Sequence, residues 1–378
     1  MVQPPAVSAR ARLASVLLAG LTTLLVVILM EGGLRAVRWT PEYLRVRIRL
    51  SNRGDLRQRR NAVVLDCYPS NPSGAFPVDL RRPEVQEHYR ALGIREFAPA
   101  LPESPYCLEF RFNSLGVRGP EYGPRRPGVK RVVVVGDSFT EGQGVREDEV
   151  YPSVLASRLE AVAPGRYEVL NFGQRATDFP ELYGLFERAL RLSPDLVIYG
   201  LCLNDAERGA QYDHRWPRLN DGIMVRRSRV QLGPWNSRLA AFVADRLDRR
   251  RIAHDTTEWY LGMYGEANRD GWERTREDLR RMAGAAQARG ARLLVVIWPL
   301  LVDLEGGYPF GEVHQRLNRF CERQGIPHYD LLDALRGQRS ASLWAHPADW
   351  HPNGRAHAMA AERLLPLVQE LLPASPGP

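Results

Sequence analysis

Apolar positions along the chain fall into three textures. Residues 13–30 form one uncharged run of 18 residues, Leu13 to Met30. At a rise of about 1.5 Å per residue such a helix spans roughly 27 Å, the thickness of a bilayer core. Residues 61–128 are rich in Pro and Gly, with only short apolar pieces such as 108–112. This texture predicts an irregular β-rich cap. From Lys130 onward, apolar runs alternate with amphipathic ones. Residues 131–135 are apolar after the first, the pattern of a strand buried on both faces of a parallel sheet. Further strands are predicted at 167–172, 196–201, 291–298 and 328–332. Helices are predicted at 150–163, 179–192, 271–289, 311–324 and 353–372, with Asn353 as an N-cap. A charged insertion at about 206–257 carries one more helix, near 237–250. Strands alternating with helices imply a parallel sheet covered on both faces, and ligands of such sheets bind beyond the carboxyl ends of the strands.

Arg10 and Arg12 precede the apolar run. The residues after it, Leu29-Met30-Glu31-Gly32-Gly33, offer no small-residue cleavage site and no lipobox cysteine. The expectation is an uncleaved signal anchor rather than a cleaved signal peptide or a core helix. The organisation expected is a tail at 1–12, the anchor at 13–30, a basic stalk at 31–60 and the cap at 61–128. The main domain follows at 129–372, with a tail at 373–378.

Charge adds a constraint. The formal net charge is +8. Residues 1–60 hold eleven arginines against Glu31, Glu42 and Asp55, which accounts for the whole excess. A nucleic-acid binder needs its basic stripe on the folded domain, so no nucleic-acid partner is expected. The arginines after the apolar run would, by the positive-inside rule, keep the following domain in the cytoplasm. The cysteines argue the other way. Cys67 and Cys107 both lie in the Pro-rich region, where a disulfide between them would require an oxidising compartment. Two separate buried thiols would require nothing of the kind. Cys202 and Cys321 read as core residues.

Candidate chemistry gathers at the predicted strand ends. The first strand runs into Gly136-Asp137-Ser138-Phe139-Thr140-Glu141-Gly142-Gln143-Gly144-Val145. A serine on a strand-to-helix turn projects its oxygen from the sheet edge, where it is available as a nucleophile. No phosphate loop or dinucleotide fingerprint is present in this segment. The second strand ends in Asn171-Phe172-Gly173, and the third leads to Asn204-Asp205. Asp349-Trp350-His351-Pro352-Asn353 lies near the C-terminus. Acyl transfer needs a nucleophile, a base, a group orienting the base, and oxyanion donors. Ser138, His351 and Asp349 supply the first three. The Ser138 and Gly173 backbone N–H groups and the Asn204 side chain supply the donors. Asp205 reads as structural. His346, His351 and His357 could be read as a metal cluster, but His357 falls inside the last helix and the serine would then be unexplained. No metal is expected.

These four blocks, in this order, resemble the SGNH (GDSL) hydrolase superfamily over residues 129–372. Asn113-Ser114-Leu115-Gly116-Val117-Arg118-Gly119 is similar to its bacterial membrane-anchored members. The resemblance implies a flavodoxin-like three-layer α/β/α sandwich without cofactor, with Ser138, Gly173, Asn204 and His351 in the family's roles. Many members separate the acid from the histidine by two residues, whereas one residue separates Asp349 from His351. The expected function is a serine esterase cleaving O-acyl, above all O-acetyl, esters on a cell-envelope glycan. The expected location is the bacterial inner membrane, single-pass, with the catalytic domain on the periplasmic side. An O-acetyltransferase served by a membrane acyl-donor protein is the nearest alternative. A non-catalytic glycan-binding component is another, with Trp216, Trp235 and Trp259 as stacking residues.

Overall fold

The structure is a computed structural model. It describes residues 9–39, 48–53, 59–68, 71, 73–94, 106–210, 212, 236–347 and 349–373. The chain divides into two compact units, 1–44 with 215–256 and 45–214 with 257–378.

In the first unit a helix α1 covers Ala9–Ala36. Its Arg12–Ala36 portion is long and apolar enough to cross a membrane. Leu17, Leu21 and Leu24 are exposed, which is not how a core helix is packed. The helix continues past Met30 to Glu31, whose carboxylate accepts from the backbone N–H groups of Arg238 and Leu239 at 2.9 and 2.8 Å. An acidic side chain thus satisfies orphan amides where a second helix begins. Trp39 packs edge-on against Phe242 of that helix.

The second unit begins with the cap. Strands β1 (Ile48–Ser51), β2 (Val63–Tyr68), β3 (Val78–Asp79) and β4 (Tyr106–Arg111) pair antiparallel in the order β1-β2-β4-β3, with a helix α2 at Pro83–Ala91. The cap sheet therefore takes its first strand from residues assigned above to the stalk. Ile48 and Leu50 alternate with arginines there, a period of two that fits a strand. Along β2, Val63, Leu65 and Cys67 join one apolar cluster, while Val64 and Tyr68 join another. Cys67 stands opposite Cys107 in register, and their sulfurs are bonded.

The main sheet follows: β5 (Lys130–Gly136), a short helix α3 (Ser138–Glu141), α4 (Tyr151–Val162), β6 (Tyr167–Gly173), α5 (Glu181–Leu190) and β7 (Leu196–Cys202). Then come α6 (Arg238–Met263), α7 (Arg269–Ala288), β8 (Arg292–Trp298), α8 (Gly311–Gln324), β9 (His328–Asp330), α9 (Leu332–Leu335), β10 (Trp344–His346), β11 (Asp349–Pro352) and α10 (Gly354–Leu371). Five strands pair in parallel in the order β6-β5-β7-β8-β9. Their side chains alternate between two cores. Val133, Val135, Leu293 and Val295 face α5, α7 and α8, while Val132, Val134, Leu294 and Val296 face α4 and α10. This is a three-layer α/β/α sandwich with strands buried on both faces. Strand order reverses at β5, so the crevice beyond its carboxyl end is where a ligand would bind. Asn353 caps α10, its side chain accepting from Ala356 N. The helix expected near 237–250 extends to Met263.

Candidate active site

β5 ends at Gly136, whose missing side chain leaves room for Thr140 Oγ1 and the Gly200 carbonyl. Asp137 then caps α3, its side chain accepting from Phe139 N at 2.9 Å. Ser138 is consequently the first residue of a helix abutting a strand end. The hairpin β10–β11 brings His351 to it. His351 Nε2 lies 2.9 Å from Ser138 Oγ. On the other side of the ring, His351 Nδ1 lies 2.5 Å from Asp349 Oδ1. One intervening residue suffices because Asp349 and His351 alternate on one face of an extended strand. The Gln143 side-chain amide lies 2.8 Å from His351 Nδ1 and 3.3 Å from Asp349 Oδ2.

The expected oxyanion donors fare differently. Asn204 reaches towards the site from the loop after β7, its Nδ2 3.4 Å from Asp137 Oδ2. The Gly173 N–H is already engaged, donating to Asn171 Oδ1 at 2.9 Å. Gly173 has a steric role as well: a Cβ there would lie 2.2 Å from Glu141 N and 2.4 Å from Thr140 C. The glycine thus lets β6 touch the helix that carries Ser138. Three residues on, Ala176 is exposed with φ of 60°. Its N–H makes no hydrogen bond among the described residues. A left-handed alanine is unusual, and such positions concentrate at functional sites.

Burial raises the Asp137 carboxyl above the ordinary carboxylate range. It does the same, more strongly, to Asp205. Asp205 Oδ2 accepts from Tyr199 OH at 2.7 Å and Cys202 N at 2.9 Å, which fixes the loop bearing Asn204.

Several contacts were not visible in the sequence blocks. Tyr68 of the cap donates to Asp349 Oδ2 at 2.7 Å. Glu141, fully buried, pairs with Arg175 and Arg59, and Arg175 also pairs with Asp66 of β2. Arg118, from the segment at 113–119, donates to the carbonyls of Glu141, Gly142 and Val145. That segment therefore braces the loop after Ser138. His357 is buried with both ring nitrogens unpaired, against Tyr151 and Trp298. Among the described residues no His, Cys, Asp and Glu cluster could hold a metal. Trp259 is partly buried against the core, so it serves packing. Trp216 and Trp235 lie outside the described residues. A different aromatic is exposed on the hairpin that carries His351: Trp350, 52% accessible and stacked on Trp344 at 5.3 Å.

A serine, an imidazole and a carboxylate hydrogen-bonded in sequence at the carboxyl edge of a doubly covered parallel sheet define a serine-hydrolase fold and site. Residues 134–359 match the GDSL-like lipase/acylhydrolase family. The chain belongs to that family. Solved structures resemble the chain at low identity. A lipolytic protein of the G-D-S-L family, described as putative, from Desulfitobacterium hafniense is 15% identical, covering 63% of this chain and 99% of that one, with a TM-score of 0.39. A lipase/acylhydrolase from Enterococcus faecalis is 14% identical, covering 66% and 100%, with a TM-score of 0.41. A catalytic mutant of an acetylxylan esterase from Geobacillus stearothermophilus is 14% identical, covering 66% and 97%, with a TM-score of 0.39. No curated protein matches the sequence significantly.

Proposed function

We propose that this GDSL-family hydrolase cleaves O-acyl, chiefly O-acetyl, esters on a cell-envelope glycan through an acyl-enzyme at Ser138. The carrying observation is the continuous hydrogen-bonded path from Ser138 Oγ through His351 to Asp349. In the first half-reaction Ser138 Oγ attacks the ester carbonyl carbon while His351 Nε2 takes the hydroxyl proton. The Oγ–C bond forms, and the carbonyl electrons move onto the oxygen as an oxyanion. The Ser138 N–H and the Asn204 amide stabilise that charge. The Ala176 N–H, without a hydrogen bond among the described residues, is a further donor on the loop after β6, and the Gly173 N–H joins only if Asn171 releases it. Collapse of the intermediate expels the alcohol, which leaves with the proton from His351. Water then repeats the sequence on the acyl-serine, releasing the acid. Asp349 holds the imidazole in the orientation this requires and stabilises its protonated form.

Two observations support the finer reading. Trp350 offers an exposed apolar ring on the face of β11 opposite Asp349 and His351, the kind of surface on which a sugar ring stacks. The disulfide in the cap fits an oxidising compartment. It therefore weighs for a catalytic unit outside the cytoplasm, anchored by residues 13–30 in the bacterial inner membrane.

The test uses the purified full chain in detergent, assayed on p-nitrophenyl acetate and on an acetylated oligosaccharide beside Ser138→Ala. Serine-dependent release of acetate, with short chains preferred over long, is expected. Retained turnover in Ser138→Ala would sink the assignment. Faster transfer of acetyl to an added oligosaccharide than to water would make the protein an acetyltransferase instead.

A further inference from the structure

We infer that Tyr68 of the cap is a positioning residue for the Asp349–His351 pair, so that the cap is a working part of the active site. The inference rests on the esterase reading for the role it gives that pair. Tyr68 is fully buried, and its hydroxyl donates to Asp349 Oδ2 at 2.7 Å, while Asp349 Oδ1 faces His351 Nδ1 at 2.5 Å. Each carboxylate oxygen thus has one short partner, the ring or the phenol, with the Gln143 amide 3.4 and 3.3 Å from them. A carboxylate fixed at both oxygens cannot rotate away from the imidazole it orients.

The path of the hydroxyl is built into the fold. Gly144 stands at φ of +84°, and a Cβ there would come within 2.4 Å of Ala345 Cβ and 3.1 Å of Tyr68 OH. The absence of a side chain at 144 leaves the gap through which the phenol reaches the carboxylate. Behind it, the Tyr68 ring stacks on Phe76 at 4.1 Å. The strand carrying Tyr68 is fixed to β4 by the neighbouring Cys67–Cys107 bond. Two residues before Tyr68, on the same side of β2, Asp66 pairs with Arg175, which pairs in turn with Glu141 of the serine's helix. One strand of the cap therefore touches both halves of the site.

A hydrogen bond to Asp349 Oδ2 stabilises the carboxylate and fixes its plane relative to His351. Without it, that oxygen keeps the longer Gln143 contact at 3.3 Å, a weaker hold on the carboxylate.

The experiment is Tyr68→Phe in the full chain, which keeps the stacked ring and deletes one oxygen. Expected are a kcat lower by about tenfold or more with KM little changed. The imidazole resonance of His351, assigned by its loss in His351→Ala, is expected to shift and broaden as the carboxylate loses its fixed orientation. If Tyr68→Phe does not fold, Phe76→Leu loosens the same ring and is expected to move the resonance likewise. A folded Tyr68→Phe with unchanged kcat and an unchanged His351 resonance would overturn the inference. The spectrum needs no turnover, so it decides the role of Tyr68 even if Ser138→Ala shows that the esterase reading is wrong.

Discussion

Glu141 and Arg175 form an ion pair buried beneath the serine. The carboxylate lies on the helix that begins at Ser138, and the guanidinium on the loop after β6. The Arg175 backbone N–H adds a second contact, donating to Glu141 Oε2 at 2.8 Å. The facing arginines hold the Glu141 carboxyl below the ordinary range despite burial. Removing Glu141 takes the shared counter-charge from Arg175 and Arg59 and leaves Asp66 on Arg175; breaking a buried pair from one side typically costs about 3–5 kcal/mol. Glu141→Ala is expected to lose about that much in urea unfolding. A loss within 0.5 kcal/mol, as for a surface pair, would contradict this account.

The proposed mechanism uses the Asn204 amide only for the charge that develops on the oxyanion. Asn204→Ala is expected to lower kcat by about 10²–10³-fold and leave KM within a few-fold. A change confined to KM would place Asn204 in ground-state binding instead.

Asp349→Asn keeps the shape of the pair but removes the charge that favours the required tautomer. A fall in kcat of about 10⁴-fold is expected at neutral pH. Full activity in this variant would mean that another group orients His351.

His357 makes the fold acid-sensitive. Burial pushes its imidazole down to about 3 from an ordinary 6.5. Between those values the unfolded chain binds a proton that the folded chain refuses. This contribution is therefore fully present above about pH 6.5 and is lost as pH falls towards 3, by a few kcal/mol over the full range. His357→Leu gives up no side-chain hydrogen bond, since both ring nitrogens are unpaired. Thermal melts of this variant between pH 7 and 4.5 are expected to be flatter than those of the parent. Parallel curves would remove His357 as the cause.

The Cys67–Cys107 bond closes a loop with a sequence separation of 40. In the chain-entropy picture such a closure stabilises by up to about 4 kcal/mol. Cys67→Ala with Cys107→Ala is expected to lower the melting temperature and, because Tyr68 is the next residue, kcat as well. Unchanged kcat in the folded double variant would show that β2 holds its place without the bond.

Trp350→Ala is expected to raise KM for an acetylated oligosaccharide several-fold while leaving p-nitrophenyl acetate hydrolysis nearly unchanged. Equal effects on both substrates would assign Trp350 to the hairpin's stability rather than to a sugar.

The sandwich and the positions of Ser138 and Asn204 at strand ends were legible in the sequence, for a local reason, whereas the hairpin that carries Asp349 and His351 was not. Val132 to Val135 announce a doubly buried strand, and a glycine followed by a polar cap marks where a strand turns into a helix. What those blocks could not carry was the choice of partners across the chain. Tyr68 and Asp349 are 281 residues apart, and no periodicity links a tyrosine in a Pro-rich segment to a carboxylate near the C-terminus. Gly173 was assigned an amide for catalysis, yet that amide bonds Asn171, and the glycine is needed because the backbone of α3 passes within contact of it. Which N–H is free, which face of β2 meets the site and which buried charges neutralise one another depend on close packing between segments. The sequence determined the elements and the chemistry they carry at their ends. The tertiary structure alone decided which side chains hold that chemistry in place, because hydrogen bonds and ion pairs are set by distances that only the packed chain defines.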